Sequence, residues 1–189
     1  AHLQRFAAIA EPGVSHILSQ FTTALAPRWP DLLRALFAGH ARILIERTRD
    51  AQGFTLIHGD VGHGNILVPR SGDRPLYILD RQPFDWSLTT WLGAYDLAYA
   101  LVLDWDVEVR RQWEQPILRH YHEHLRRRGV EGYPVEQLWA DYRLCVAMAV
   151  YVAVEYCRGG VNERWVPVWL PMLQRALTAC EDWDCPALW

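Results

Sequence analysis

The sequence predicts an α+β domain that is predominantly helical, with a small β-hairpin near its middle. Three observations carry that expectation. Apolar residues recur at helical spacing on both sides of residues 54–80. Inside that window, short apolar runs alternate with glycine- and proline-rich turns. The chain has 189 residues, 51% hydrophobic and 22% charged, which suits a single globular lobe over 1–189. A chain of this size buries roughly 70% of its unfolded surface and needs no staples.

The elements follow in order. Val14, Ile17, Leu18, Phe21 and Leu25 mark a first helix over Val14 to Ala26, broken by Pro27 and Pro30. Asp31 is a candidate N-cap for a second helix through Leu32, Leu36, Phe37 and Ile43 to Ile45, ending before Gly53. Phe54 to Ile57 is a short strand. The glycine-rich stretch from His58 to Asn65 is a loop. Ile66 to Val68 and Leu76 to Leu79 are the two strands of a hairpin, joined by a turn-rich connection from Pro69 to Pro75. Helices resume at Ala94 to Leu103 and at Val107 to Arg128, where Pro116 predicts a kink or a break. Pro134 opens a long helix to about Tyr156, which Gly159 and Gly160 stop. The last helix covers Glu163 to Glu181, interrupted at Pro167 and Pro171.

Composition removes several function classes. The net charge is -3, so there is no overall basic field and nucleic acid is not an expected partner. All nineteen basic residues are arginine, so chemistry that needs a lysine is excluded within this chain. Cys145, Cys157, Cys180 and Cys185 contain no C-x-x-C pair and read as reduced core residues. The longest apolar run, Leu144 to Val154, is too short to cross a bilayer, and no membrane partner is expected. The chain opens at Ala1 without a signal peptide or a methionine. The expectation is a cytoplasmic protein from which something upstream has been removed.

The polar residues of the hairpin region point to chemistry. His58-Gly59-Asp60 follows one strand, Asn65 precedes the next, and Asp80 closes the hairpin. Two short strands return the chain, so Asp60, Asn65 and Asp80 converge at one end. One carboxylate, one amide oxygen and substrate phosphates suit magnesium, which takes oxygen ligands and keeps waters. A second carboxylate off the metal orients a hydroxyl and accepts its proton. Phosphoryl transfer needs this positioning more than covalent participation.

The segments His58-Gly59-Asp60-Val61-Gly62-His63-Gly64-Asn65-Ile66-Leu67-Val68, Tyr77-Ile78-Leu79-Asp80 and Gly93-Ala94-Tyr95-Asp96-Leu97-Ala98 closely resemble the aminoglycoside phosphotransferase and choline kinase-like family. The resemblance is strong from about Phe54 to Leu103. It implies the C-terminal lobe of a protein-kinase-like fold. It implies transfer of the γ-phosphoryl group of ATP, or GTP, to a hydroxyl of a small acceptor. By it, Asp60 is the catalytic aspartate, Asn65 and Asp80 hold magnesium with its nucleotide, and His58 and Asp96 brace the loop. Arg81 stands where the family often has an aromatic residue, while Gln82 keeps the usual pattern.

A kinase of this fold also needs a strand-rich nucleotide-binding lobe with a phosphate-pairing lysine. The chain has no lysine and no strand-rich first half, so the expected partner is a missing N-terminal lobe of the same protein. Alone, residues 1–189 are expected to transfer no phosphate at a useful rate. Two other readings remain open: a pseudokinase-like binding module, and a metal-dependent phosphoesterase that would need further ligand motifs. His63 reads as exposed and without a partner. His120, His122 and His124, among arginines, read as a solvated helix face rather than a zinc site. Asp104, Asp106 and Glu155, with Trp165, Trp169 and Trp183, raise the prospect of a cationic acceptor, because carboxylates and aromatic faces both favour a cation.

Overall fold

The computed structural model describes residues 2–80 and 88–189, the side chains of residues 2 and 3 excepted. Among these residues six helices and four short strands form: α1 His2–Gln20, α2 Trp29–Arg47, β1 Phe54–Ile57, β2 Ile66–Leu67, β3 Tyr77–Ile78, β4 Thr89–Leu92, α3 Ala94–Ala98, α4 Val107–Arg127, α5 Val135–Glu155 and α6 Val166–Asp182. The protein is α+β and predominantly helical, with two small antiparallel sheets. Where the sequence reads as one lobe, the backbone groups into two compact units. The first joins residues 1–50 to 143–189, and the second is residues 51–142.

The first unit is all helix. Its core is built from Ala10, Ile17, Leu33, Leu36, Leu44, Tyr151, Trp169, Leu173 and Leu177, all fully buried. Gly13 lets α1 lie directly on α5, because a Cβ there would strike the Val154 carbonyl oxygen. Phe21 meets Trp169 edge-on with ring centroids 5.2 Å apart. His40 is buried, its Nε2 2.9 Å from the Leu144 carbonyl oxygen and its Nδ1 3.2 Å from the Tyr151 hydroxyl. Burial holds its pKa down at about 4, against a smaller upward pull from the Leu144 carbonyl. The four cysteines are free and buried, as their apolar surroundings in the sequence suggest. Burial pushes the Cys157 thiol up to about 11.

Three local expectations are corrected. Pro30 does not end a helix but sits in the first turn of α2, where its missing N–H costs nothing. Asp31 therefore lies inside α2 as a first-turn acid rather than an N-cap, stabilised by the helix dipole. Pro116 does not break α4, which runs unbroken from Val107 to Arg127. Gln112 and Pro116 are both exposed, so water reaches the carbonyl that the proline leaves unbonded.

In the second unit, β1 pairs antiparallel with β4, Phe54 opposite Leu92 and Ile57 opposite Thr89. The pairing is extended at both ends, by the Leu88 N–H to the His58 carbonyl and the Gly93 N–H to the Gly53 carbonyl. Strands β2 and β3 form the expected hairpin, Ile66 opposite Ile78 and Leu67 opposite Tyr77. The helical side is tied by buried polar groups. Arg110 donates to Glu114 at 2.8 Å and the Tyr142 hydroxyl donates to the other Glu114 oxygen at 2.6 Å. Tyr133 and Gln137 both donate to the buried Asp141 carboxylate at 2.8 Å. In these networks each buried carboxylate accepts from two side-chain donors, although the Arg110 Nε is buried without a hydrogen-bond partner among the described residues.

Candidate functional site

The loop from His58 to Asn65 leaves β1 and enters β2. Gly59 adopts φ +85°, which a residue with a Cβ rarely takes, so the chain reverses there. A short helical turn over His63–Asn65 closes the loop, with the Asn65 N–H bonded to the Gly62 carbonyl at 2.9 Å.

The loop is held from within and from the helix after β4. The Asn65 side-chain amide donates to the Asp60 carbonyl at 2.9 Å. That bond fixes the amide with its nitrogen turned into the loop. The Asp60 N–H donates to His58 Nδ1 at 3.3 Å. Asp96, in the first turn of α3, accepts the His58 N–H at 2.7 Å and the Gly59 N–H at 2.9 Å, one on each carboxylate oxygen. Both His58 and Asp96 therefore bond to backbone N–H groups of the loop.

After α3 the helix widens into a π-turn over Tyr99–Leu103. The Tyr99 hydroxyl donates to Asp60 Oδ1 at 2.5 Å. Asp104, just past the π-turn, accepts the His63 N–H at 2.8 Å and lies 3.3 Å from His63 Nδ1. Gly62 packs close by, and a Cβ there would stand 3.2 Å from the same Asp104 oxygen. His63 is exposed as expected, but it has a partner in Asp104. The sequence offers no cue for that pairing, since 41 residues separate the two.

The hairpin register settles where Asp80 comes back. Ile66 stands opposite Ile78, and the Leu79 N–H bonds to the Asn65 carbonyl at 2.8 Å. Asp80, one residue on, thus lies at the same end of the hairpin as Asn65. It is exposed and its backbone is left-handed, with φ +63°. That conformation is uncommon outside glycine, though aspartate tolerates it better than most residues. Arg81 and Gln82 lie outside the described residues.

The donor set at this end is oxygen-rich. Asn65 spends its amide nitrogen on the Asp60 carbonyl, which leaves its oxygen as the group able to ligate. Together with the Asp80 carboxylate this suits a hard cation that completes its shell with water and phosphate oxygens. No group of three or more His, Cys, Asp or Glu that could hold a metal occurs among the described residues, so an all-protein cage is not what they offer.

The remaining candidates fall elsewhere. His120 and His124 are exposed on α4 with ring centroids 6.3 Å apart, and His122 Nε2 lies 2.9 Å from the Tyr133 carbonyl oxygen. Asp104 stands at the loop, whereas Asp106 is the N-terminal flanking residue of α4. Glu155, Trp165, Trp169 and Trp183 belong to the first unit. There Glu155 pairs with Arg158 at 2.9 Å and Trp169 is core. Burial raises the Glu155 carboxyl above its usual range, against an opposing pull from Arg158. No family model, no curated protein and no solved structure matches this chain.

Proposed function

We propose that the chain is the catalytic-loop lobe of a small-molecule phosphotransferase with a protein-kinase-like fold, similar to the aminoglycoside phosphotransferase and choline kinase-like proteins. It would pass the γ-phosphoryl group of ATP, or GTP, to an acceptor hydroxyl. One observation carries the reading. The Asn65 amide bonds to the backbone carbonyl of Asp60, and the hairpin register returns Asp80 to the end of the β2–β3 pair where Asn65 stands.

In this reading Asp60 receives the acceptor hydroxyl and takes its proton as the oxygen attacks phosphorus. His58 and Asp96 act through the backbone. His58 Nδ1 takes the Asp60 N–H, and Asp96 fixes the two residues before Asp60. Asn65 and Asp80 are the residues that would hold magnesium, which when bound neutralises charge on the phosphate oxygens. The carboxylates of Asp60 and Asp104 around the loop favour an acceptor that carries a cation over an anionic one.

The test uses a polypeptide that joins this chain to a nucleotide-binding lobe. Thermal shifts are read with magnesium-ATP and a panel of hydroxylated amines and sugars. Stabilisation by magnesium-ATP, and a further shift with an amine-bearing alcohol, is the expected result. No magnesium-dependent shift with either nucleotide would remove the phosphotransferase reading.

A further inference from the structure

Asp96, Tyr99 and Asp104 all reach one loop from one stretch of helix, yet their spacing does not suit an α-helix. Tyr99 is three residues from Asp96 and shares its face. Asp104 is eight residues from Asp96. Eight α-helical steps of about 100° would leave it about 80° around the helix from Asp96. A π-turn takes up one extra residue, so Asp104 stands where a seventh residue would stand, about 20° from the line of Asp96. The widened turn is located at Tyr99–Leu103, between the two aspartates.

We propose that this π-turn is a positioning device for the loop, and that Tyr99 is the positioning residue of the Asp60 carboxylate. Asp96 holds the loop's start through the His58 and Gly59 N–H groups. Asp104, kept in line because the widened turn absorbs the extra residue, holds its far side at the His63 N–H. Tyr99 lies between them and pins Asp60 Oδ1, so the side chain is aimed as well as the backbone. Short polar bonds at three points along the loop leave it little freedom, as a site that works by positioning needs. The catalytic consequence rests on the phosphotransferase reading; the clamp itself does not.

The experiment follows backbone amide exchange and the Asp60 carboxyl ¹³C resonance by NMR on this chain. In a variant lacking Ala100 the extra residue is gone, Asp104 becomes the seventh residue after Asp96, and an unbroken α-helix keeps it about 20° from that line. The His58, Gly59 and His63 amides should then keep their rates. Asp104→Ala removes the contact itself, so the His63 amide should exchange at least ~10-fold faster while His58 and Gly59, held upstream, keep their rates. Tyr99→Phe should move the Asp60 carboxyl resonance and leave all three amides unchanged. An unmoved His63 rate in Asp104→Ala, or an unmoved Asp60 resonance in Tyr99→Phe, would overturn the clamp. Joined to a nucleotide-binding lobe, with water as acceptor, Tyr99→Phe should lower kcat for ATP hydrolysis with KM for magnesium-ATP unchanged. A wild-type protein that hydrolyses no ATP would count against the phosphotransferase reading, while the exchange results judge the clamp separately.

Discussion

Replacing Asp96 by asparagine isolates what one carboxylate does for the loop. The two side chains are nearly identical in shape, so packing is preserved. In the native loop both Asp96 oxygens accept a backbone N–H, from His58 at 2.7 Å and from Gly59 at 2.9 Å. A hydrogen bond to a charged group contributes about 1.5–3 kcal/mol and a neutral one about 1 kcal/mol. The substituted amide would keep one acceptor oxygen, now neutral, and turn its NH₂ toward the second N–H, donor against donor. One charged bond is lost and the other is weakened. Water reaches the half-exposed side chain and recovers part of the loss, leaving about 2–3 kcal/mol. For a chain of this length that is a fall in Tm of about 4–12 °C by calorimetry. The same energy should speed exchange of the His58 and Gly59 amides by ~30-fold or more, with the rest of the unit unaffected. A Tm within roughly 1 °C of wild type, with both amides at native rates, would show that Asp96 does not hold the loop.

Other perturbations test separate links. Gly59→Ala forces a Cβ onto a backbone at φ +85°, and a loss of about 1–2 kcal/mol in urea unfolding is expected. Glu114→Ala removes the buried acceptor shared by Arg110 and the Tyr142 hydroxyl and should cost about 3–5 kcal/mol by the same measurement. His40, with its pKa lowered to about 4, binds fewer protons in the folded than in the unfolded state between that value and 6.5. Its contribution is complete above pH 6.5 and lost as pH falls toward 4, about 3 kcal/mol in all, and His40→Gln should flatten the stability profile in that window. Joined to a nucleotide-binding lobe, Asp60→Asn should keep nucleotide binding and lower turnover by roughly 10²–10⁴-fold, whereas Asp80→Ala should abolish magnesium-dependent binding itself.

What is legible in the sequence follows from local rules. The helical periods, the hairpin and the return of Asp80 to Asn65 depend on spacing alone, and the β2–β3 register carries the same geometry. Strand β4 is absent from the sequence reading, although Thr89-Thr90-Trp91-Leu92 has the β-branched and aromatic content of a strand. Its partner β1 lies more than thirty residues upstream, so no local turn announces the pairing. The π-turn is beyond reach, because Tyr99-Ala100-Leu101-Val102-Leu103 is as good an α-helix as any other apolar run. Only the demands of the loop it faces distinguish it. The grip of Tyr99 on Asp60 spans 39 residues and that of Asp104 on His63 spans 41, and neither leaves a periodic trace.

The charges around the loop bear on which step each residue would govern. Asp60, Asp80, Asp96 and Asp104 are all carboxylates, and the chain has no lysine to set against them. A triphosphate approaching such a field is repelled unless a cation stands between. In the proposed reading that cation is the magnesium held by Asn65 and Asp80, so their loss should register first as lost binding. In the same reading Asp60 would lie off the metal, and its carboxylate would only add to the repulsion of phosphate. Removing that charge therefore leaves nucleotide affinity at or slightly above its native level, and the loss falls on turnover alone. The separation of the two variants into binding and rate is a consequence of electrostatics at the loop. If Asp80→Ala retained full magnesium-ATP affinity, the phosphate charge would have to be met elsewhere, and arginines would be the only protein cations this chain could supply besides protonated histidine.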